Sequence, residues 1–287
     1  MKIGLALSGG GVRGLAHAGV LKALEENNIK VDIIGGTSAG SMVASLYAMG
    51  YKPDEIFNCF KENSNKIIGK NSFSVFYGIR SFINKYVGSS GIKKGEDIEN
   101  IFEKLARDRN IEKISNIKMP IVIPTVDIKD SREYIFTNNV PQNEDNSNKK
   151  YITEISIGEA VRASSSFPAV FNICTIQKHA FIDGGALDNI PTEEVRKQGA
   201  DKVIAIKFKE DKIDEKSNMM DIVMKTIDIM GSKIIEKNLE KSDYILNVDT
   251  GKIGLLDVKS MEKCFFAGYE AANKNIKEIQ EAINKFT

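Results

Sequence analysis

Twice within its first fifty residues the chain passes from an apolar run, through a glycine turn, into a helix-like stripe. Residues 2–8 (KIGLALS) read as a strand, and 13–27 as a helix with Leu15, Ala18, Gly19, Val20 and Leu24 on one face. Residues 31–36 (VDIIGG) read as a short buried strand, and 38–50 as a small-residue helix ending at Gly50. This βαβα opening predicts an α/β fold with a mainly parallel sheet, whose ligands gather at the C-terminal ends of the strands.

The later pattern fits the same class. Strands are expected at 120–128, 132–137, 201–208 and 243–249. A helix over 94–108 places Ile98, Ile101, Phe102 and Leu105 together, and another over 155–171 stops at a serine-rich turn and Pro168. Residues 178–200 read as strand, glycine turn and helix, and 141–150 (PQNEDNSNKK) as a solvated loop. The aromatic, basic stretch 64–95 reads either as a flap over the sheet edge or as ordinary core helices. Phe73, Phe76, Tyr77 and Phe82 within it either line an acyl channel or pack as core.

A length of 287 residues with 42% hydrophobic composition suits one domain over 1–287. Within it lie a motif-bearing core (3–206) and a mostly helical C-terminal part (207–287). A net charge of +1 argues against a nucleic-acid partner. Cys59, Cys174 and Cys264 are far apart and without C-x-x-C spacing, which suits a reducing compartment and excludes a thiolate zinc site. The first apolar run breaks at Ser8-Gly9, too early for a signal peptide, and no stretch reaches the ~18 apolar residues of a membrane span. A cytoplasmic location is expected, with weak attachment to a membrane surface left open. The oligomeric state is not readable from these patterns.

Residues 36–40 (GTSAG) fit G-x-S-x-G, directly after an apolar strand and opening a helix. That setting is what a nucleophile elbow requires, and it makes Ser38 the candidate nucleophile. Gly36 and Gly40 suit a turn so tight that side chains there would clash. The competing reading is an N-cap serine in a plain βα turn. A serine nucleophile needs a base, and the chain has two histidines, His17 and His179, with none after residue 179. That order does not fit Ser…Asp/Glu…His, so both histidines are expected to be structural. Asp183, at the end of an apolar strand and followed by Gly184 and Gly185, is the better proton acceptor. It is expected on the ligand-facing rim of a parallel sheet, with its carboxylate turned to the elbow and made basic by desolvation. An Asx-turn aspartate is the alternative.

The glycine loop SGGGVRG has the G-x-G-x-x-G spacing of a dinucleotide fingerprint in Gly9, Gly11 and Gly14. That fingerprint also wants an acid at the end of the second strand, where this chain has Gly35-Gly36-Thr37-Ser38; Asp32 stands at the wrong end. Glycine N–H groups beside the elbow suit an oxyanion hole instead, where one lost donor costs about 10²–10³ in rate. Arg13 then either braces the loop or draws in an anionic head group.

Taken together, GGGVRG, GTSAG and DGG, with ASSSFP at 163–168 and NIP after the DGG, resemble the patatin-like phospholipase family over roughly residues 3–206. The resemblance implies a three-layer α/β/α fold and a Ser38–Asp183 dyad. It also implies an oxyanion hole of the Gly9, Gly10 and Gly11 amides, and acyl-lipid substrates cleaved without metal or cofactor. Competing classes are a nicotinamide-dependent oxidoreductase and a non-catalytic lipid-sensing module. The resemblance assigns nothing to the last 80 residues.

Overall fold

The computed structural model describes residues 1–67, 95–142, 149–168, 170–209 and 238–285, with positions 222, 226, 229, 235 and 236 between the last two stretches. Among them a nine-stranded sheet forms. Its main path runs β5 (Lys149–Ile152), β4 (Arg132–Thr137), β3 (Ile121–Asp127), β2 (Ile33–Gly36), β1 (Ile3–Leu7), β8 (Lys202–Phe208), β9 (Tyr244–Val248). Off that path β7 (His179–Asp183) pairs with β3, and β6 (Cys174–Ile176) pairs with β7. From β3 through β2, β1 and β8 to β9 every neighbour is parallel.

Alternation along these strands sorts apolar side chains into two cores, because successive residues face opposite sides of a sheet. Leu5, Leu7, Ile34, Ile123, Ile204 and Ile206 face one core. It is closed by Leu21 of α1 (Ala16–Glu26), Val43 of α2 (Ala39–Ala48), Phe102 of α4 (Glu96–Arg107), Val161 of α5 (Ile157–Ser164) and Phe265 of α7 (Met261–Lys274). Ala6, Ile33, Val122, Val203 and Ala205 face the other, under Val195 of α6 (Thr192–Lys197) and Leu239. The result is three layers, helix on sheet on helix. Helices α3 (Pro53–Ile67) and α8 (Ile276–Asn284) are also present.

One topological detail positions the site. β4 covers one edge of β3 along nearly its whole length, from Val122 to Asp127. The opposite edge is shared: β2 pairs at Ile121 and Val122, while β7, running antiparallel, pairs at Thr125 to Asp127. Two strands that approach along one edge from opposite ends must meet tip to tip. Gly36 ends one and Asp183 ends the other. The expected rim of a parallel sheet is therefore corrected: Asp183 reaches the elbow from an antiparallel strand.

Other expectations shift in detail. A short 3₁₀ turn, Gly11–Leu15, precedes α1, so the regular helix starts later than the stripe suggested. The solvated loop at 141–150 ends in strand β5, and α3 was not foreseen at all. Most of the proposed flap, with Phe73, Phe76, Tyr77 and Phe82, lies outside the described residues, as do 143–148.

Candidate active site

Strand β2 delivers the chain into a turn that only this sequence pattern tolerates. Ser38 takes φ 54° and ψ −121°, a conformation rare for a non-glycine residue, and its side chain makes no capping bond to α2. An N-cap serine has an extended backbone and an accepting hydroxyl. Ser38 has neither, so the plain βα-turn reading fails. The flanking glycines are required by contact: a Cβ on Gly36 would strike the Gly40 carbonyl, and one on Gly40 would lie 2.5 Å from the Leu7 oxygen. The turn is held from outside by Ser164 at the end of α5. Its Oγ accepts the Ser38 N–H at 3.1 Å and donates to the Pro124 carbonyl at 2.7 Å. A reciprocal cap between Ser156 and Glu159 sets the start of α5 and so the reach of Ser164.

The Asp183 carboxylate lies close enough to the Ser38 side chain for that hydroxyl to stabilise its charge. Asp183 is 5% exposed, and its Oδ1 also accepts the Gly185 N–H at 2.8 Å. Burial drives its pKa from 3.8 up to about 6, against the opposing pull of the Ser38 and Gly185 hydrogen bonds. At neutral pH the group is ionised yet far more basic than a surface aspartate, as a general base must be. The tie from Asp183 N to the Ser166 carbonyl, 3.1 Å, anchors β7 to the serine-rich turn.

Beside the elbow, on the adjacent strand, lies the glycine loop. Gly11 takes φ +58°, in the left-handed region, and a Cβ there would strike the Leu255 carbonyl. Val12 N–H donates to that same carbonyl at 2.9 Å. The Gly10 and Gly11 N–H groups carry no partner among the described residues. Gly9 differs from expectation: its N–H is already engaged by Asn189, at 3.0 Å to Oδ1 and 3.3 Å to the main-chain oxygen. Arg13 braces the loop, its Nε 3.5 Å from the Gly10 carbonyl and its guanidinium over the Phe208 ring. Gly14 leaves room for Ala39, the first residue of α2.

Neither histidine reaches Ser38. His17 is fully buried under the glycine loop, with Nε2 2.8 Å from the Ser8 carbonyl and its ring against Phe208. Burial lowers its pKa to about 4, partly countered by the Ser8 bond, so it is neutral and donates from Nε2. His179 stands at the far end of β7, four residues or about 13 Å from Asp183, with Nδ1 2.6 Å from Asp127. The ribose position of a dinucleotide site is filled by the elbow itself, and Asp32 instead accepts the Ile3 N–H at 3.0 Å. Among the described residues no cluster of His, Cys, Asp and Glu is arranged to hold a metal.

Sequence reasoning gave no role to Ser164, Thr37 or Asn189. Thr37 Oγ1 donates to the Asp188 carbonyl at 2.8 Å, tying the elbow to the loop after Asp183. Asp188 in turn accepts from Asn238 at 2.9 Å, which gives the C-terminal region a contact with the site. The only signal for Ser164 and Asn189 was their place in the ASSSFP and NIP segments.

Comparisons with known proteins bear on the family and the fold. The family model described as Patatin-like phospholipase matches residues 5–196. Lysophospholipase NTE1 of Candida albicans is 34% identical over 214 residues, and that of Scheffersomyces stipitis 32% over 209. Each match covers 71% of this chain but only 13% and 11% of those much longer proteins. In fold, the chain resembles VipD from Legionella pneumophila (TM-score 0.52, 14% identity, covering 96% of this chain and 67% of that one). It also resembles the type III effector ExoU (TM-score 0.52, 15% identity, 96% and 53%). With the motifs, the layered sheet and the family match in agreement, the chain belongs to the patatin-like phospholipase family.

Proposed function

We propose that this chain is a serine acyl hydrolase that cleaves carboxylic ester bonds of lipids through a Ser38–Asp183 dyad. The observation that carries the reading is Ser38 on a strained elbow beside the buried Asp183 carboxylate, close enough for its side chain to stabilise that charge, while His17 and His179 bond elsewhere. Ser38 Oγ attacks the acyl carbonyl while Asp183 takes its proton. The developing oxyanion is met by main-chain N–H groups of the glycine loop, supplied by Gly10 and Gly11. Asp183 returns the proton to the leaving alcohol, leaving an acyl-enzyme. Water then gives its proton to Asp183, attacks the acyl carbon and releases the fatty acid with Ser38 restored. Dipoles carry the charge that develops, so the scheme calls on neither metal nor cofactor.

The substrates are acyl lipids of the phospholipase A, lysophospholipase or simple esterase type; the lysophospholipase names of the relatives support this class. The chain works as one domain, in the cytoplasm, meeting lipid at a membrane surface. No helix among the described residues is long and apolar enough to cross a membrane.

The test is fluorophosphonate labelling of wild type beside Ser38→Ala and Asp183→Asn, each shown folded by circular dichroism. Labelling absent in Ser38→Ala and sharply reduced in Asp183→Asn is expected. A folded wild type that never labels overturns the reading in favour of a non-catalytic lipid-binding module.

A further inference from the structure

The loop after β7 touches every part of the site. Gly185 N–H holds the Asp183 carboxylate, and the Asp188 carbonyl accepts from Thr37, the residue before the nucleophile. The next residue, Asn189, turns both its side-chain and main-chain oxygens onto one donor, the Gly9 N–H. The contact is close on both sides. A Cβ on Gly9 would sit 2.6 Å from Asn189 Oδ1, and one on Gly185 3.3 Å from it. Asn189 thus lies wedged between the glycine loop and the Asp183 loop, 180 residues apart in sequence.

A backbone N–H can serve an oxyanion only if it is unpaired and correctly aimed. Gly9 is neither, because it already carries two acceptors. Pinning the Gly9 N–H fixes the Ser8–Gly9 peptide plane from which the loop departs, and Gly10 and Gly11 are the loop glycines whose N–H groups stay open among the described residues. Asp188 is anchored in turn by Asn238, so the pin does not move freely.

We infer that Asn189 is the positioning residue of the oxyanion loop. It withdraws the Gly9 amide from the hole, sets Gly10 and Gly11 as its donors, and locks them in register with Asp183. The inference rests on the acyl-hydrolase reading for the use of the hole, but not for the Asn189–Gly9 bond itself.

The experiment is amide NMR on ¹⁵N-glycine-labelled full-length protein, free and after reaction with a methyl alkyl fluorophosphonate. In the free protein Gly9 N–H exchanges slowly, while Gly10 and Gly11 exchange fast. In the adduct, whose phosphonyl oxygen occupies the oxyanion position, Gly10 and Gly11 protons move downfield and Gly9 stays. A Gly9 proton that moves with them, or that exchanges as fast as they do in the free protein, overturns the inference. In Asn189→Leu, kcat is expected to fall about 10- to 100-fold, less than deletion of a donor. KM should change less than about threefold, since ground-state binding is untouched. Unchanged kcat in the folded variant also refutes it; should the variant not fold, the wild-type exchange and shift data decide. Failure of wild type to form an adduct on Ser38 counts against the acyl-hydrolase reading, and Gly9 exchange then still decides the Asn189 bond.

Discussion

Asp183 should be a source of instability as well as of rate, and Asp183→Asn separates the two. A carboxyl raised from 3.8 to about 6 binds its proton more tightly in the native state than in the unfolded chain. Its contribution to stability is therefore complete below pH 3.8 and is lost as pH rises to about 6, above which the loss is constant. At about 1.4 kcal/mol for each pH unit, the ionised group lowers native stability by about 3 kcal/mol at pH 8 and by about 1.6 kcal/mol at pH 5. Asparagine has nearly the shape of the protonated acid and no charge to bury. The variant should gain on wild type in urea unfolding by an amount that grows by about 1.4 kcal/mol between pH 5 and pH 8. Hydrolysis should meanwhile drop about 10²–10⁴-fold with loss of the base. A stability gap that is independent of pH, or that shrinks as pH rises, would refute the argument that burial of an ionisable Asp183 sets its basicity.

Two further outcomes follow from the same geometry. The acid limb of kcat/KM should fall tenfold per pH unit below about pH 6 and stay there in His179→Gln; His17→Gln should lower the rate through the Ser8 brace without moving the limb, and a limb that either variant abolishes would point to a histidine base. Ser164→Ala strands the Ser38 N–H and the Pro124 carbonyl, which should cost about 1–3 kcal/mol in urea unfolding and slow phosphonate labelling; wild-type values for both would remove Ser164 as the support of the elbow.

What could be read from the amino acids alone was whatever depends on near neighbours. The elbow was legible because half of its sterics are local: a Cβ on Gly36 would strike the Gly40 backbone four residues on, whereas Gly40 is held side-chain-free by the Leu7 and Ser8 carbonyls at the end of β1. The strands of the parallel half were legible because a strand buried on both faces is a near-continuous apolar run, as residues 3–7 and 121–124 are. Strand β5 was missed for the opposite reason. Its Lys149 looks solvated but pairs with Glu133 at 3.1 Å and Glu194 at 2.8 Å, partners that only folding supplies. Helix α3 went unseen because Ile56 and Phe60 alternate with charges in a stretch dominated by the aromatic run that follows.

From the amino acids alone came the α/β class, read from the order of elements, the strained serine turn, and Asp183 as the candidate carboxylate beside it, the last two each written in a short motif. Tertiary structure alone decided that β7 runs antiparallel on the same edge of β3 as β2, so that Asp183 meets Ser38 tip to tip. It alone decided that Gly9 is spent on Asn189 while Gly10 and Gly11 stay open. Strand direction and hydrogen-bond partnership across 180 residues depend on which edges and donors remain unfilled once the rest of the chain has packed, and no local pattern carries that information.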